Sequence, residues 1–210
     1  MSKLSLKGNA SGTATYTIEA PAGSTDRVLT LPDEAGTVLS SGTPLSSFPS
    51  GFANGITEYD QWRINAGIEY TGSGNTDITT NWERNDSNFD YIGTGMSESS
   101  GVFTFPSTGK WLMLIHASFY SATDLYYAGI RTYVSVDSGS SYSKRSEVYT
   151  QNVTGGATKY FHANIFVGLD VTNSSTFRVK FNIDRYGTVN LDGNTNEQRS
   201  GITFIRLGDT

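Results

Sequence analysis

From residue 55 onward, hydrophobic and polar positions alternate with a period of two, and no capped apolar stretch repeats every three to four residues over several turns. The clearest case sets Phe177, Val179, Phe181 and Ile183 against Arg178, Lys180, Asn182 and Asp184. This is the pattern of a strand buried on one face and wet on the other. The same reading predicts about ten strands, at 57–64, 77–84, 88–93, 101–106, 110–121, 127–137, 142–150, 158–169, 175–185 and 200–207. Turn residues separate them at Gly67, 72–74, 97–101, 137–140, 154–156 and 192–194. Many short strands with minimal helix predict an all-β sandwich or jelly roll. One strand breaks the alternation. Along 110–120, Trp111, Met113, Ile115, Ala117 and Phe119 share one face, and Leu112, Leu114, His116, Ser118 and Tyr120 share the other. Both faces are largely apolar, so the strand is expected either inside its own domain or sealed on one side by another subunit.

The first 40 residues read differently. Ala14, Tyr16, Ile18 and Ala20 alternate with Thr and Glu, then short strands at 27–31 and 37–39 are separated by Pro- and Gly-containing turns. Such pieces are too short for an independent globule. Residues 41–55 are rich in Ser, Gly and Pro and read as a linker. Three parts follow: 1–40, a linker at 41–55, and a sandwich over 56–210.

Composition narrows the chemistry. Hydrophobic residues make up 36% but aromatics reach 12%, so large side chains must build the core. The chain has no cysteine, which excludes disulfide staples and cysteine metal clusters. A net charge of −5 without a basic block argues against a nucleic-acid surface. No segment approaches the roughly 18 apolar residues of a membrane helix, and the N-terminus has no signal-like apolar run. A soluble protein made in a cytosol, without membrane insertion, is expected.

Catalytic constellations are missing. The two histidines, His116 and His162, lie on apolar strands with no evident second ligand or base partner, and are expected to be buried or at an interface. No nucleophile elbow and no phosphate-cradling Gly loop occurs. The carboxylate pairs Asp86/Asp90 and Asp192/Glu197 lie in turns. They would cleave glycosides only if held about 5–9 Å apart, and turn carboxylates more often serve the backbone. The run 192–197 lacks the oxygen ladder of a calcium loop. No catalytic residue, metal or cofactor is expected. Loop aromatics are more informative: Tyr126 and Tyr127 follow Asp124, Tyr142 and Tyr149 flank Lys144-Arg145, and Tyr186 follows Arg185. Tyrosine beside Asp, Asn or Arg can stack on a sugar ring, or simply pack at loop bases and subunit borders.

Two stretches carry family resemblances. Gly101-Val-Phe-Thr-Phe-Pro-Ser-Thr-Gly-Lys-Trp111 resembles the G-x-F-x-x-P-x-x-G-x-[YW] signature of the C1q/TNF-like jelly roll. Ser200 to Gly208 is similar to that family's final strand, and Trp82 to Asn85 with Phe89 to Tyr91 is similar to its asparagine-containing strand and turn. The resemblance covers about residues 56–208 and brings no calcium-ligand set with it. The second stretch is Ala14 to Ala22, Arg27-Val-Leu-Thr-Leu-Pro-Asp33 and Ala35-Gly-Thr-Val-Leu39. It resembles the short strand module at the N-terminus of bacteriophage tail-fibre proteins.

Together the resemblances imply a homotrimeric, non-enzymatic virion fibre protein made in the host cytoplasm. Residues 1–40 would attach it to other virion proteins, with Tyr16, Ile18, Val28, Leu29 and Leu31 as contacts. The 56–210 knob would bind a host surface glycan or protein through Asp124, Tyr126, Tyr127, Tyr142, Arg145 and Tyr186. Trp111, Leu112, Leu114, His116, Tyr120, Phe166 and Phe204 would form its core and trimer interface, with Trp111 and Phe204 expected to matter for assembly. The alternatives are a purely structural decoration that binds no host molecule, and a polysaccharide depolymerase, which would need a paired-acid cleft.

Overall fold

The computed structural model describes residues 11–12, 55–86, 90–152 and 157–210. Residues 1–40, expected to be an attachment module, and the expected linker at 41–55 fall outside these residues except for Ser11, Gly12 and Gly55, so Tyr16, Ile18, Val28, Leu29 and Leu31 are not described. Among the described residues, period-two patterning produces thirteen strands and no helix. Numbered in chain order, one sheet holds β1 (Tyr59–Ile64), β2 (Ala66–Tyr70), β4 (Trp82–Arg84), β7 (Gly109–Ser121), β10 (Lys159–Val171), β12 (Val189–Asn194) and β13 (Gly201–Gly208). The second holds β3 (Gly74–Asp77), β5 (Ser97–Ser99), β6 (Val102–Thr104), β8 (Leu125–Ser135), β9 (Ser143–Asn152) and β11 (Arg178–Tyr186). Every pairing is antiparallel, as expected of a sandwich.

β7 is the axis of the first sheet. One edge pairs with β10 along its whole length, from Gly109↔Val171 to Ser121↔Lys159. The other edge pairs with β13 from Lys110 to His116 and with β12 at Phe119 and Tyr120. Its inward side chains Trp111, Met113, Ile115, Ala117 and Phe119 are fully buried. They meet Phe103, Phe177, Val179, Phe181 and Ile183 in one hydrophobic core. Phe103 is the hub, with ring centroids of Trp62, Trp82, Phe181 and Phe204 at 5.4, 5.1, 5.8 and 5.3 Å. Phe105 packs edge-on against Trp111 at 5.1 Å and against Phe177 at 5.4 Å. The Phe-x-Phe-Pro segment of the sequence signature thus fills the space between the sheets.

Several boundaries differ from the sequence reading. The expected strand at 77–84 is two elements in different sheets. The chain leaves β3, Ile78 N–H donates to the Phe181 carbonyl (2.9 Å), and Asn81 turns with a φ of 63° before β4 begins. Asn tolerates this left-handed conformation better than most residues. The expected 88–93 strand is reduced, among the described residues, to one bridge between Ile92 and Tyr59. Residues 66–70, 97–99 and 192–194, read as turns or left unassigned, are strand. Gly193 misleads because glycine usually marks a turn. Here it sits inside β12, where an added Cβ would lie 2.6 Å from Ile64 Cγ2, so close packing demands glycine.

Phe103→Ala removes a fully buried ring that touches four aromatic neighbours. It should destabilise the fold by about 3–5 kcal/mol, read as a lower urea midpoint with an unchanged slope.

Candidate functional site

Two surfaces carry the residues singled out by sequence. The first is one end of the sandwich, where β8 begins and β9 and β11 end. Leu125 pairs with Asn152 across β8 and β9, and Tyr127 pairs with Tyr186 across β8 and β11. A bulge between Leu125 and Ala128 interrupts the β8–β9 ladder there. Tyr126 is 78% exposed and its ring meets Tyr186 edge-on at 4.9 Å. Tyr127 lies between Tyr186 (6.3 Å) and Tyr149 (5.3 Å). Two features hold the tip. Thr123 N–H donates to Ser121 Oγ (3.1 Å), and that hydroxyl bonds the Thr188 carbonyl (3.0 Å), tying the 122–124 loop to the 187–188 turn. Gly187 has a φ of 118°, and any Cβ there would collide with the buried Leu125 side chain. Beside the aromatics lies a cavity of about 340 Å³ lined by Asp124, Leu125, Tyr126, Gln151 and Asn152.

Four of the six proposed receptor residues therefore converge: Asp124, Tyr126, Tyr127 and Tyr186. The other two do not. Tyr142 lies at the opposite end of the second sheet, next to the Val134–Ser143 pair, with Lys180 Nζ 4.4 Å from its ring centroid. Arg145 is exposed near the start of β9, at a register shift on the side away from the tip. The side chains missed were Gln151 and Asn152, because the strand was expected to stop at 150. Nothing in their spacing marks them, since only the β8–β9 register brings them to Asp124 and Tyr126.

The second surface is the outward face of the first sheet. Phe166, Leu114, Thr203 and Gln61 form one row across β10, β7, β13 and β1, and Gly168, Leu112, Ile205 and Tyr59 form the next. Phe166 is 74% exposed and Tyr160 is 62% exposed, with Tyr160 packed on Tyr120 at 5.5 Å. His116 Nδ1–H donates to Asn164 Oδ1 (2.6 Å), and the ring stacks on His162 at 5.3 Å. Leu112, Leu114, His116 and Tyr120 are half-buried within the protomer. Trp111 and Phe204 are different: both are fully buried between the sheets, so a substitution there disturbs folding before it can report on assembly.

The outward face of the second sheet is polar by contrast. Arg131 forms ion pairs with Glu147 (3.1 Å) and with the buried Asp184, and donates to Tyr149 Oη (2.6 Å) and to Asn75. Desolvation, then hydrogen bonds to Glu147 and Asp184, push the Tyr149 phenol up to about 12 against the opposing bond from Arg131. Lys180 Nζ pairs with Asp77 at 2.7 Å. The carboxylates weighed as an acid pair are also engaged: Asp86 with Arg63 (3.2 Å), and Asp192 and Glu197 with Arg199 (3.4 and 2.9 Å).

No family model and no curated protein match the sequence. Solved structures do. Eiger TNF from S. frugiperda aligns with a TM-score of 0.55 and 11% identity, covering 74% of this chain and 95% of that one. Murine APRIL aligns with a TM-score of 0.50 and 12% identity, covering 71% and 98%. The PRD1 vertex protein P5, at 13% identity and coverages of 74% and 100%, has a TM-score of 0.44, a likeness too loose to speak of function. The fold is a TNF-like jelly roll, as the Gly101–Trp111 signature implied.

At the end away from the aromatic tip, Asp137 accepts from Ser135 Oγ (2.6 Å), Ser141 Oγ (2.6 Å) and Ser141 N–H (3.0 Å). These bonds, the Ser135 hydroxyl first, hold its carboxyl down at about 2, below the ordinary 3.8. A depressed folded-state value contributes stability that is present above the unfolded value and lost as pH falls through the folded one. Asp137→Asn should therefore lower the melting temperature at pH 7. The gap to the native chain should close as pH drops from 3.8 towards about 2, measured by scanning calorimetry.

Proposed function

We propose that this chain is a non-enzymatic homotrimeric fibre protein of a phage virion, attached through residues 1–40 and presenting a jelly-roll knob that binds a host-surface glycan. The observation that carries this reading is the contrast between the two outward sheet faces. One is covered by paired charges around Arg131 and Lys180, while the other leaves Phe166 and Tyr160 exposed next to Leu112, Leu114 and Ile205. A soluble protomer rarely leaves such an apolar face open. In the C1q/TNF-like fold that the signature resembles, this face packs on neighbouring subunits about a threefold axis. The resemblance of residues 14–39 to phage fibre modules supports the virion location. The aromatic tip supports receptor contact, and three tips on one knob would convert weak single-site binding into tight attachment through avidity.

Phe166→Glu tests the assembly without touching the core. By light scattering, the native chain should run at three times its 22.7 kDa mass, and the variant as a folded monomer. A native monomer, or a variant that stays trimeric, would place the interface elsewhere. Binding of the full chain to bacterial cells and to a glycan array tests the second half. Intact trimers that bind neither would favour a purely structural virion decoration.

A further inference from the structure

We propose that His116 and His162 form a two-imidazole chelate for one divalent transition cation of the Zn²⁺ or Ni²⁺ class, on the outward face of the first sheet. The inference needs a single chain and rests on neither the trimer nor the receptor reading. The whole chain holds two histidines and no cysteine. The sequence offered no second ligand beside either histidine, but the β7–β10 ladder supplies one. It sets His116 opposite Asn164 and His162 opposite Ser118, so the two rings are diagonal neighbours on the same face. Their centroids lie 5.3 Å apart and their planes are inclined by 24°. Two imidazoles held by one tetrahedral ion at about 2.0–2.1 Å have ring centres about 5 Å apart. The pair thus already stands at the spacing of a shared ion.

The donor atoms are in the right state. Because His116 Nδ1–H donates to Asn164 Oδ1, its Nε2 carries the lone pair. Ligating histidines usually show this arrangement, with the second ring nitrogen tied to a carbonyl or carboxylate that fixes tautomer and orientation. Both rings are within reach of solvent. His116 is half-buried and borders a surface cavity of about 200 Å³, its Nε2 is not sealed from water, and His162 is exposed. His162 makes no side-chain hydrogen bond among the described residues, so its ring can turn onto an ion without breaking one. Imidazole suits Zn²⁺, Ni²⁺ and Cu²⁺, whereas Mg²⁺ and Ca²⁺ take oxygen ligands. Among the described residues no third His, Cys, Asp or Glu joins the pair. Water would fill the remaining positions, which makes the site open and exchangeable where a four-ligand structural site is closed. A bound ion would clamp β10 to β7 midway along their ladder.

The test is titration of the full, untagged chain with Zn²⁺, followed by NMR of the imidazole C–H protons and by calorimetry. With two histidines in the chain, His116→Asn and His162→Asn assign the signals directly. Both rings should respond together and saturate at one ion per chain, and Mg²⁺ or Ca²⁺ at the same concentration should move neither. Each histidine variant should weaken Zn²⁺ binding at least tenfold, and Asn164→Ala roughly tenfold by releasing the His116 ring. Zn²⁺ should raise the melting temperature of the native chain and of neither histidine variant. His162 is exposed, so His162→Asn should melt with the native chain when no metal is added, which separates lost ligation from lost folding. The inference is overturned if Zn²⁺ does not bind, if one ring responds alone, if binding survives both histidine variants, or if Mg²⁺ or Ca²⁺ serves as well. Light scattering on the same samples keeps the readings apart: a monomer that binds the ion removes the trimer and leaves the chelate, and a trimer that does not bind it removes the chelate alone.

Discussion

β7 has no free edge. It hydrogen-bonds to β10 along its full length on one side and to β13 and β12 on the other, so its register is set from both directions. A slip by one residue would exchange Trp111, Met113, Ile115, Ala117 and Phe119 for Leu112, Leu114, His116, Ser118 and Tyr120. Burying the larger set fixes the smaller set on the outside. The outward apolar face is thus a consequence of the core as well as a feature in its own right, and β10 inherits it. Its inward residues Phe161, Ala163, Ile165, Val167 and Leu169 are buried by the same register that turns Tyr160, His162, Asn164 and Phe166 outward.

Much of this architecture was legible in the sequence because period-two alternation needs no tertiary information. The strands around 110–121, 127–137, 142–150, 158–169 and 200–207 appear within a few residues of their expected bounds. The anomaly at 110–120 was legible too, although alternation alone could not say which face turned inward. That choice is made by Phe103, Phe105, Phe181 and Phe204, whose rings fill the gap on one side. What stayed hidden were the places where the chain changes sheets. Residues 78–82 carry Ile78 and Trp82, both apolar enough to extend a strand, yet the intervening Asn81 turns the chain across the sandwich. β12 was hidden for the opposite reason: Asp192-Gly193-Asn194 has turn composition but serves a close approach to Ile64 and Ala66.

The tip shows the same division. Tyr126, Tyr127 and Tyr186 stood out as aromatics beside polar residues, and local composition sufficed to find them. Asn152 and Gln151 did not, because they reach Asp124 and Tyr126 only through the β8–β9 pairing, 26 or so residues away in sequence by the loop-closing route that pairing requires. Tyr142 and Arg145 looked equally suitable by composition and belong elsewhere, since register carries β9 away from the tip within a few residues.

The outward face of the first sheet and the aromatic tip are joined by one strand. The middle of β7 supplies Leu112, Leu114 and His116 to the outward face, and its last residue, Ser121, anchors the tip through Thr123 and Thr188. Tyr120, one residue earlier, still packs on Tyr160 of β10. The outward face is therefore continuous with a strand whose end braces the 122–124 loop and the 187–188 turn. Bracing of this kind leaves fewer loops and side chains free to move at that end. The register that gives the sandwich its core thus also leaves one apolar face outward and one braced end, built from different residues.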